Sequence, residues 1–189
     1  HLEGPWLSER YHGAHPTELL RDPLPGEVAR LCEAGGDAVR MVTIAVEREG
    51  ALDSVRWMAE HGIVAALGHS DCSYDDARAA LDAGATGATH LFNAMPALLH
   101  RAPGPVLALL RDPRAWLELI ADGVHVHPDV VTWVLREHPD RTVLVTDAMA
   151  AAGCSDGDYV LGELAVEVRN GQAHIAGTDT IAGSTLVLA

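Results

Sequence analysis

Glu3, His69, His90 and Asp147 each stand where a short apolar run stops. The runs end in clusters: His1-Leu2-Glu3-Gly4-Pro5, Gly68-His69-Ser70, Thr89-His90-Leu91-Phe92-Asn93-Ala94-Met95, Ala121-Asp122-Gly123-Val124-His125 and Val145-Thr146-Asp147-Ala148-Met149. A buried strand needs no polar residue at its tip. Parallel strands that each carry a metal ligand or an acid/base group at the C-terminal end are how a (β/α) barrel builds an active site. Two imidazoles and a carboxylate, Glu3, His69 and His90, form a divalent-metal set that leaves a position open for water. Their separations, 66 and 21 residues, are no local motif but match about three βα units and one. For a single His, a satisfied core position is the commoner role; three ligands at three tips point to a metal.

Asp147 closes Val143-Leu144-Val145-Thr146. Beside a divalent cation an Asp can take a proton from an attacking water and pass one to a leaving group. The alternative is a cap on a following helix. His125 can hydrogen-bond a substrate carbonyl or hydroxyl, whereas His127 precedes Pro128, which should open a helix, and reads as structural. Asn93 is an amide close behind a metal ligand. The guanidinium of Arg101 suits phosphate, with a solvated surface charge as the competing role. His12 and His15 sit in a polar loop after Glu3, on the face where barrel loops meet substrate.

The elements that must position these residues alternate. Apolar, β-branched runs fall at Ala38–Ala45, Ile63–Leu67, Gly87–Leu91, Leu117–Ala121 and Thr142–Val145. Helical segments are expected at Leu24–Ala34, Ala51–His61, Tyr74–Ala83, Pro105–Asp112 and Pro128–Glu137. This alternation implies βα units and a parallel sheet. Five strands, plus the tail of one at Leu2, are too few to close an eight-stranded barrel. The expected fold is therefore α/β: a partial (β/α)8 TIM-type barrel over residues 1–157, from the end of its third strand to its eighth. After Gly153 the rhythm changes. Tyr159–Val168 alternates, Asn170-Gly171 signals a hairpin turn, and Gln172–Ala176 follows, so residues 158–178 read as a hairpin of a small β domain. Residues 179–189 should begin a further helix, with Ser184 or Thr185 as N-cap.

Composition narrows the function. Hydrophobic residues make up 48% of the 189 and aromatics only 4%, so the core must be Ala, Val, Leu and Ile. A net charge of −14 argues against nucleic acid as a partner. All 13 basic residues are Arg, which excludes lysine chemistry within this chain. Cys32, Cys72 and Cys154 give no disulfide framework or zinc-knuckle spacing, and a cytoplasmic setting follows. No run approaches transmembrane length. The chain opens on His1 and closes inside an apolar run, and it reads as an excerpt of a longer protein.

Together these motifs, with Gly13-Ala14-His15 and Ala182-Gly183-Ser184, occur in an order that resembles the N-acetylglucosamine-6-phosphate deacetylase family of the amidohydrolase superfamily. Each is weak alone; as a set spanning nearly the whole chain they are specific. The resemblance implies a metal-dependent amidohydrolase barrel that cleaves the acetamide of N-acetylglucosamine 6-phosphate in amino-sugar catabolism and cell-wall recycling. It implies Glu3, His69 and His90 as ligands of zinc, iron or cobalt, one or two ions, and Asp147 as acid/base. It implies His125 on the sugar or the acetamide carbonyl, and His15, Asn93, the Ala94 backbone and Arg101 on the phosphate. It further implies a phosphosugar substrate and a homodimer in which the neighbouring subunit supplies some contacts. Trp6 stands where the family usually has Phe, and the strand that carries a second metal's His-x-His pair in some members is absent. Two rivals remain: another amidohydrolase, dihydroorotase- or deaminase-like, and a non-catalytic phosphosugar-binding barrel.

Overall fold

The computed structural model describes residues 1–187. Six parallel strands form one sheet in sequence order: β1 Leu2–Glu3, β2 Met41–Ile44, β3 Val64–Leu67, β4 Gly87–Ala88, β5 Trp116–Ile120 and β6 Thr142–Val145. Five helices run between them: α1 Pro25–Gly35, α2 Ala51–Glu60, α3 Tyr74–Ala83, α4 Gly104–Arg111 and α5 Pro128–Glu137. A helical crossover between each pair of neighbouring parallel strands is the βα repeat that the alternation of apolar runs implied. Two helices match their expected bounds because their starts are chemically marked. Ser73 and Asp76 close a capping box on α3, with Asp76 N–H donating to Ser73 Oγ at 3.2 Å and Ser73 N–H to Asp76 Oδ2 at 2.9 Å. Pro128 occupies the first turn of α5, and the His127 ring caps it by accepting from Asp129 N–H at 3.2 Å.

The main core lies between sheet and helices and is aliphatic, as composition required. Val42, Ile44, Leu67, Leu117 and Leu119 meet Val28, Val55, Met58, Leu81, Leu109 and Val134. Trp6 is the exception, an aromatic buried completely in this layer. Leu117 and Leu119 pack into this core, so Trp116, Glu118 and Ile120 lie on the opposite face of β5. Strands β1 and β6 are the two edges, and Val143 and Leu144 of β6 are exposed. Among the described residues no helix is long and apolar enough to cross a membrane.

Three antiparallel strands form a second sheet: β7 Gly157–Leu161, β8 Leu164–Arg169 and β9 Gln172–Ile175. The Asn-Gly turn holds: Asn170 and Gly171 have φ of 52° and 74°, and Arg169 pairs with Gln172. The single strand expected over Tyr159–Val168 is instead two. They fold back at Gly162-Glu163, with Leu161 opposite Leu164 and Gly162 at φ 60°. Alternation persists through a two-residue turn, so periodicity alone did not reveal the break. The helix expected after residue 179 is absent among residues 179–187. Ser184 instead bridges Ala148 in parallel, accepting from Met149 N–H at 3.0 Å and donating its own N–H to Asp147 O at 2.7 Å. The chain beyond β6 carries unpaired backbone groups that an extended segment satisfies and a helix would not. Residues 188 and 189 of that expected helix lie outside the described residues. The small sheet's core takes in Met149 and Ala151 after β6, with Ala14 after β1 packed against it.

Strand approach beneath the tips is close. A Cβ added at Gly68 would lie 2.7 Å from Thr89 Cβ and 2.9 Å from Thr43 Cγ2. Gly68→Ala should therefore destabilise the intact protein by about 1–3 kcal/mol, read as a lower urea midpoint with unchanged m; an unchanged midpoint would show that the strands can part freely here.

Candidate metal centre and active site

Glu3 ends β1, His69 lies two residues past β3, and His90 two past β4. Their ligand atoms converge. Glu3 Oε1 is 3.3 Å from His69 Nε2 and 3.2 Å from His90 Nε2, and the two Nε2 atoms are 3.0 Å apart. Ligand atoms about 2.0–2.1 Å from a tetrahedral ion stand roughly 3.3–3.4 Å from one another, so the triangle has nearly the size one ion needs. His69 Nδ1–H donates to the Tyr11 carbonyl at 2.6 Å, which leaves the Nε2 lone pair facing the triangle. Both rings are almost fully buried. The donor set fits a borderline cation such as zinc, iron or cobalt.

A wider group also meets here: Glu3, His15 and His69 place ligand atoms within 4.8 Å of one another. His15 Nε2 is 3.7 Å from the other carboxylate oxygen, Glu3 Oε2, and its ring meets that of His69 edge-on. The tighter triangle is the better single-ion site, and His15 stands beside it. Burial works to raise the pKa of Glu3, but the imidazoles of His15, His69 and His90 around it override that and hold the carboxyl far below its usual range. Burial works to lower the pKa of His90, but its hydrogen bond to Glu3 and the charges of Glu3 and Asp147 leave it raised.

The tips share an unusual backbone. His69, His90 and Asp147 all have positive φ, 47°, 31° and 49°. Such a conformation costs a non-glycine residue about 1–3 kcal/mol and persists where its surroundings over-determine it. The turn after His90 is tied off by Asn93, whose Nδ2 donates to the carbonyls of His90 and Leu91 at 3.2 and 3.4 Å. Asp147 caps no helix; its carbonyl is fixed by Ser184, whose hydroxyl also donates to the Thr146 carbonyl.

A cavity of about 1300 Å³ opens over these tips. Glu3, His15, His69, His90, Asn93, Ala94, His125 and Asp147 all line it. Arg101 does not: it is exposed, in the segment between β4 and α4. Sequence reasoning missed Arg10, which reaches the cavity while pairing with Asp71 at 3.1 Å. It also missed the far wall, which is lined by Leu161–Leu164 of the small sheet and by Thr180 and Ile181 beyond it. Only the Gly162 turn signal could have revealed that wall.

Fold and tip-mounted ligands define the class, an α/β protein with a metal-type site at the C-terminal ends of parallel strands. Known proteins narrow it. An N-acetylgalactosamine-6-phosphate deacetylase from Escherichia coli O157:H7 is 44% identical over 98% of this chain and 49% of its own length. An N-acetylglucosamine-6-phosphate deacetylase from Vibrio furnissii is 43% identical over 100% and 47%. A Mycobacterium smegmatis N-acetyl-D-glucosamine-6-phosphate deacetylase mutant, solved in complex with N-acetyl-D-glucosamine-6-phosphate, superposes with a TM-score of 0.95 at 54% identity, over 98% of this chain and 49% of that one. No family model matches the chain. Over nearly its whole length the chain is similar in sequence and fold to these deacetylases. It spans about half the length of the curated relatives it matches.

The two overlapping ligand groups can be told apart. In the intact protein, His90→Ala should weaken metal binding by more than the roughly 10–100-fold that loss of an orienting partner costs, while His15→Ala should leave it nearly unchanged. Competition against a chromophoric chelator measures both, and the reverse ranking would move the ion toward His15.

Proposed function

We propose that the protein containing this chain hydrolyses the acetamide of N-acetylglucosamine 6-phosphate to glucosamine 6-phosphate and acetate. In this reading the six parallel strands are the third to eighth of an amidohydrolase (β/α)8 barrel. Residues 1–157 are the catalytic segment and 158–178 belong to a small β domain. The observation that carries the proposal is the Glu3–His69–His90 triangle, lined into one cavity with Asp147 and His125.

Glu3, His69 and His90 hold one divalent cation, zinc, iron or cobalt, which when bound supplies a water of lowered pKa and polarises the acetamide carbonyl. Asp147 takes a proton as the water oxygen attacks the acetamide carbon. It returns a proton to the amine nitrogen as the C–N bond breaks. His125 donates to the oxygen on which negative charge develops. His15, Asn93 and the Ala94 backbone face the sugar phosphate. Arg101 faces solvent beside the exposed Leu98 and Leu99, a placement that suits contact with the phosphate in a neighbouring subunit of a homodimer. The three cysteines are free, which suits the reducing cytoplasm.

The name of the E. coli relative favours a second substrate, N-acetylgalactosamine 6-phosphate, differing at one sugar carbon. Both should be assayed for acetate. Release of ammonia instead would identify a deaminase-like amidohydrolase, and binding without turnover a non-catalytic barrel. Asp147→Asn should lower kcat by at least about 10²–10⁴-fold with metal content unchanged. Near-normal turnover in that variant would sink the assignment of Asp147.

A further inference from the structure

His125 offers two ring nitrogens, and one is already committed. In the loop between β5 and α5, His125 Nδ1 lies 2.7 Å from Asp122 Oδ2. The other carboxylate oxygen, Oδ1, accepts the backbone N–H groups of Val124 and His125, each at 2.9 Å. Both side chains are nearly buried, His125 7% and Asp122 12% exposed. An ionised carboxylate can only accept, so the proton between the two side chains sits on Nδ1. Burial works to raise the pKa of Asp122, but the hydrogen bonds from His125 and Val124 outweigh it and hold the carboxyl in its charged form. Nε2 is then the polar atom with which His125 meets a ligand in the cavity.

This arrangement constrains the proposed reaction. With Nδ1 donating to Asp122, a neutral His125 presents a lone pair at Nε2 and can only accept. A developing oxyanion needs a donor, and Nε2 becomes one when the ring carries both protons. A buried carboxylate at Nδ1 stabilises that imidazolium, as in other aspartate–histidine pairs. Resting on the deacetylase reading above, we propose that Asp122 is a positioning residue. It takes the Nδ1–H of His125, aims Nε2 into the cavity and balances the imidazolium whose Nε2–H meets the oxyanion.

Asp122→Asn is the informative variant. Its amide oxygen can keep the Val124 and His125 backbone contacts, so the turn survives. Its NH2 then faces Nδ1, forcing that nitrogen to accept and moving the ring proton to Nε2. In the intact, metal-loaded enzyme with 15N-labelled histidine, the neutral His125 ring should carry its proton on Nδ1 in the wild type and on Nε2 in Asp122→Asn. With N-acetylglucosamine 6-phosphate, the variant's neutral ring still offers an Nε2–H but no longer the imidazolium charge, so kcat should fall by at least about 10-fold while KM moves by less than about 5-fold. Asp122→Asn combined with His125→Asn should be no slower than His125→Asn alone, because the two act as one unit. A merely structural Asp122 predicts near-normal kcat and additive effects, and either result overturns the proposal. If Asp122→Asn does not fold, the wild-type ring still decides: a neutral form protonated on Nε2 overturns it. The ring measurement needs no turnover, so a wild-type enzyme that releases no acetate would sink the deacetylase reading separately.

Discussion

Glu3 Oε1, His69 Nε2 and His90 Nε2 stand within 3.0–3.3 Å of one another, three metal-ligand atoms facing one point. Groups that only accept do not gather at that distance, largely out of water, unless a proton or a cation holds them. The fold is arranged to force the gathering. Glu3 pairs with Thr43 in register, Thr43 with Ala66, and Ala66 with Gly87, so the strand ends rise to one level. The tips then turn through left-handed conformations at His69, His90 and Asp147. That costs about 1–3 kcal/mol at each residue and bends three side chains toward one cavity. The burial of the strands beneath, from Val42 and Ile44 to Leu67, Leu117 and Leu119, offsets it.

The layer under the ligands is shaped for the same end. Thr43 Oγ1 and Thr89 Oγ1 hydrogen-bond each other at 2.8 Å, so two polar side chains in the sheet interior satisfy one another. Glu118, half-buried on the same face of β5 as Ile120, has its pKa raised first by burial and further by the charges of Glu3 and Asp147, while His90 opposes the shift. Glu3 and Glu118 thus share a partly buried space with two imidazoles, and the exposed Asp147 carboxylate acts on it from the rim. Each negative charge there destabilises the others, and a divalent cation relieves all three at once.

Local chemistry was legible where it was self-contained. Helix α3 carries its own capping box, α5 its own proline, and the β8–β9 turn its own Asn-Gly pair, so each appears at its expected place. The tip residues were legible because a polar group at the end of an apolar run has no structural reason to be there. The β7–β8 turn was hidden because a two-residue turn leaves alternation intact, and Gly162 was its only mark. Ser184 was misread because its partners, Thr146 and Asp147, lie 37 or more residues away and no local pattern encodes them. Arg101 has chemistry suited to phosphate, yet its position depends on how the segment between β4 and α4 leaves the barrel mouth. Asp122 escaped notice beside His125 because an Asp three residues before a His is common, and only the 2.7 Å contact gives it a role.

The small sheet has a mechanical place in this arrangement. Its core joins Val166, Val168 and Ala173 to Met149 and Ala151, and Ala14 packs against that cluster. Ala14 immediately precedes His15, in the loop that follows β1, and Met149 lies two residues past Asp147 at the end of β6. Strands β1 and β6 are the opposite edges of the large sheet, so this second core links the loops of the two elements furthest apart in strand order. Ser184, leaving the small sheet, pins the Asp147 backbone directly. The group proposed to move protons and the histidine beside the Glu3–His69–His90 triangle are therefore held against one body. Loosening that body would shift both relative to Glu3 without touching a ligand, and a displacement of about 1 Å at a reacting group is enough to cost about 100-fold in rate.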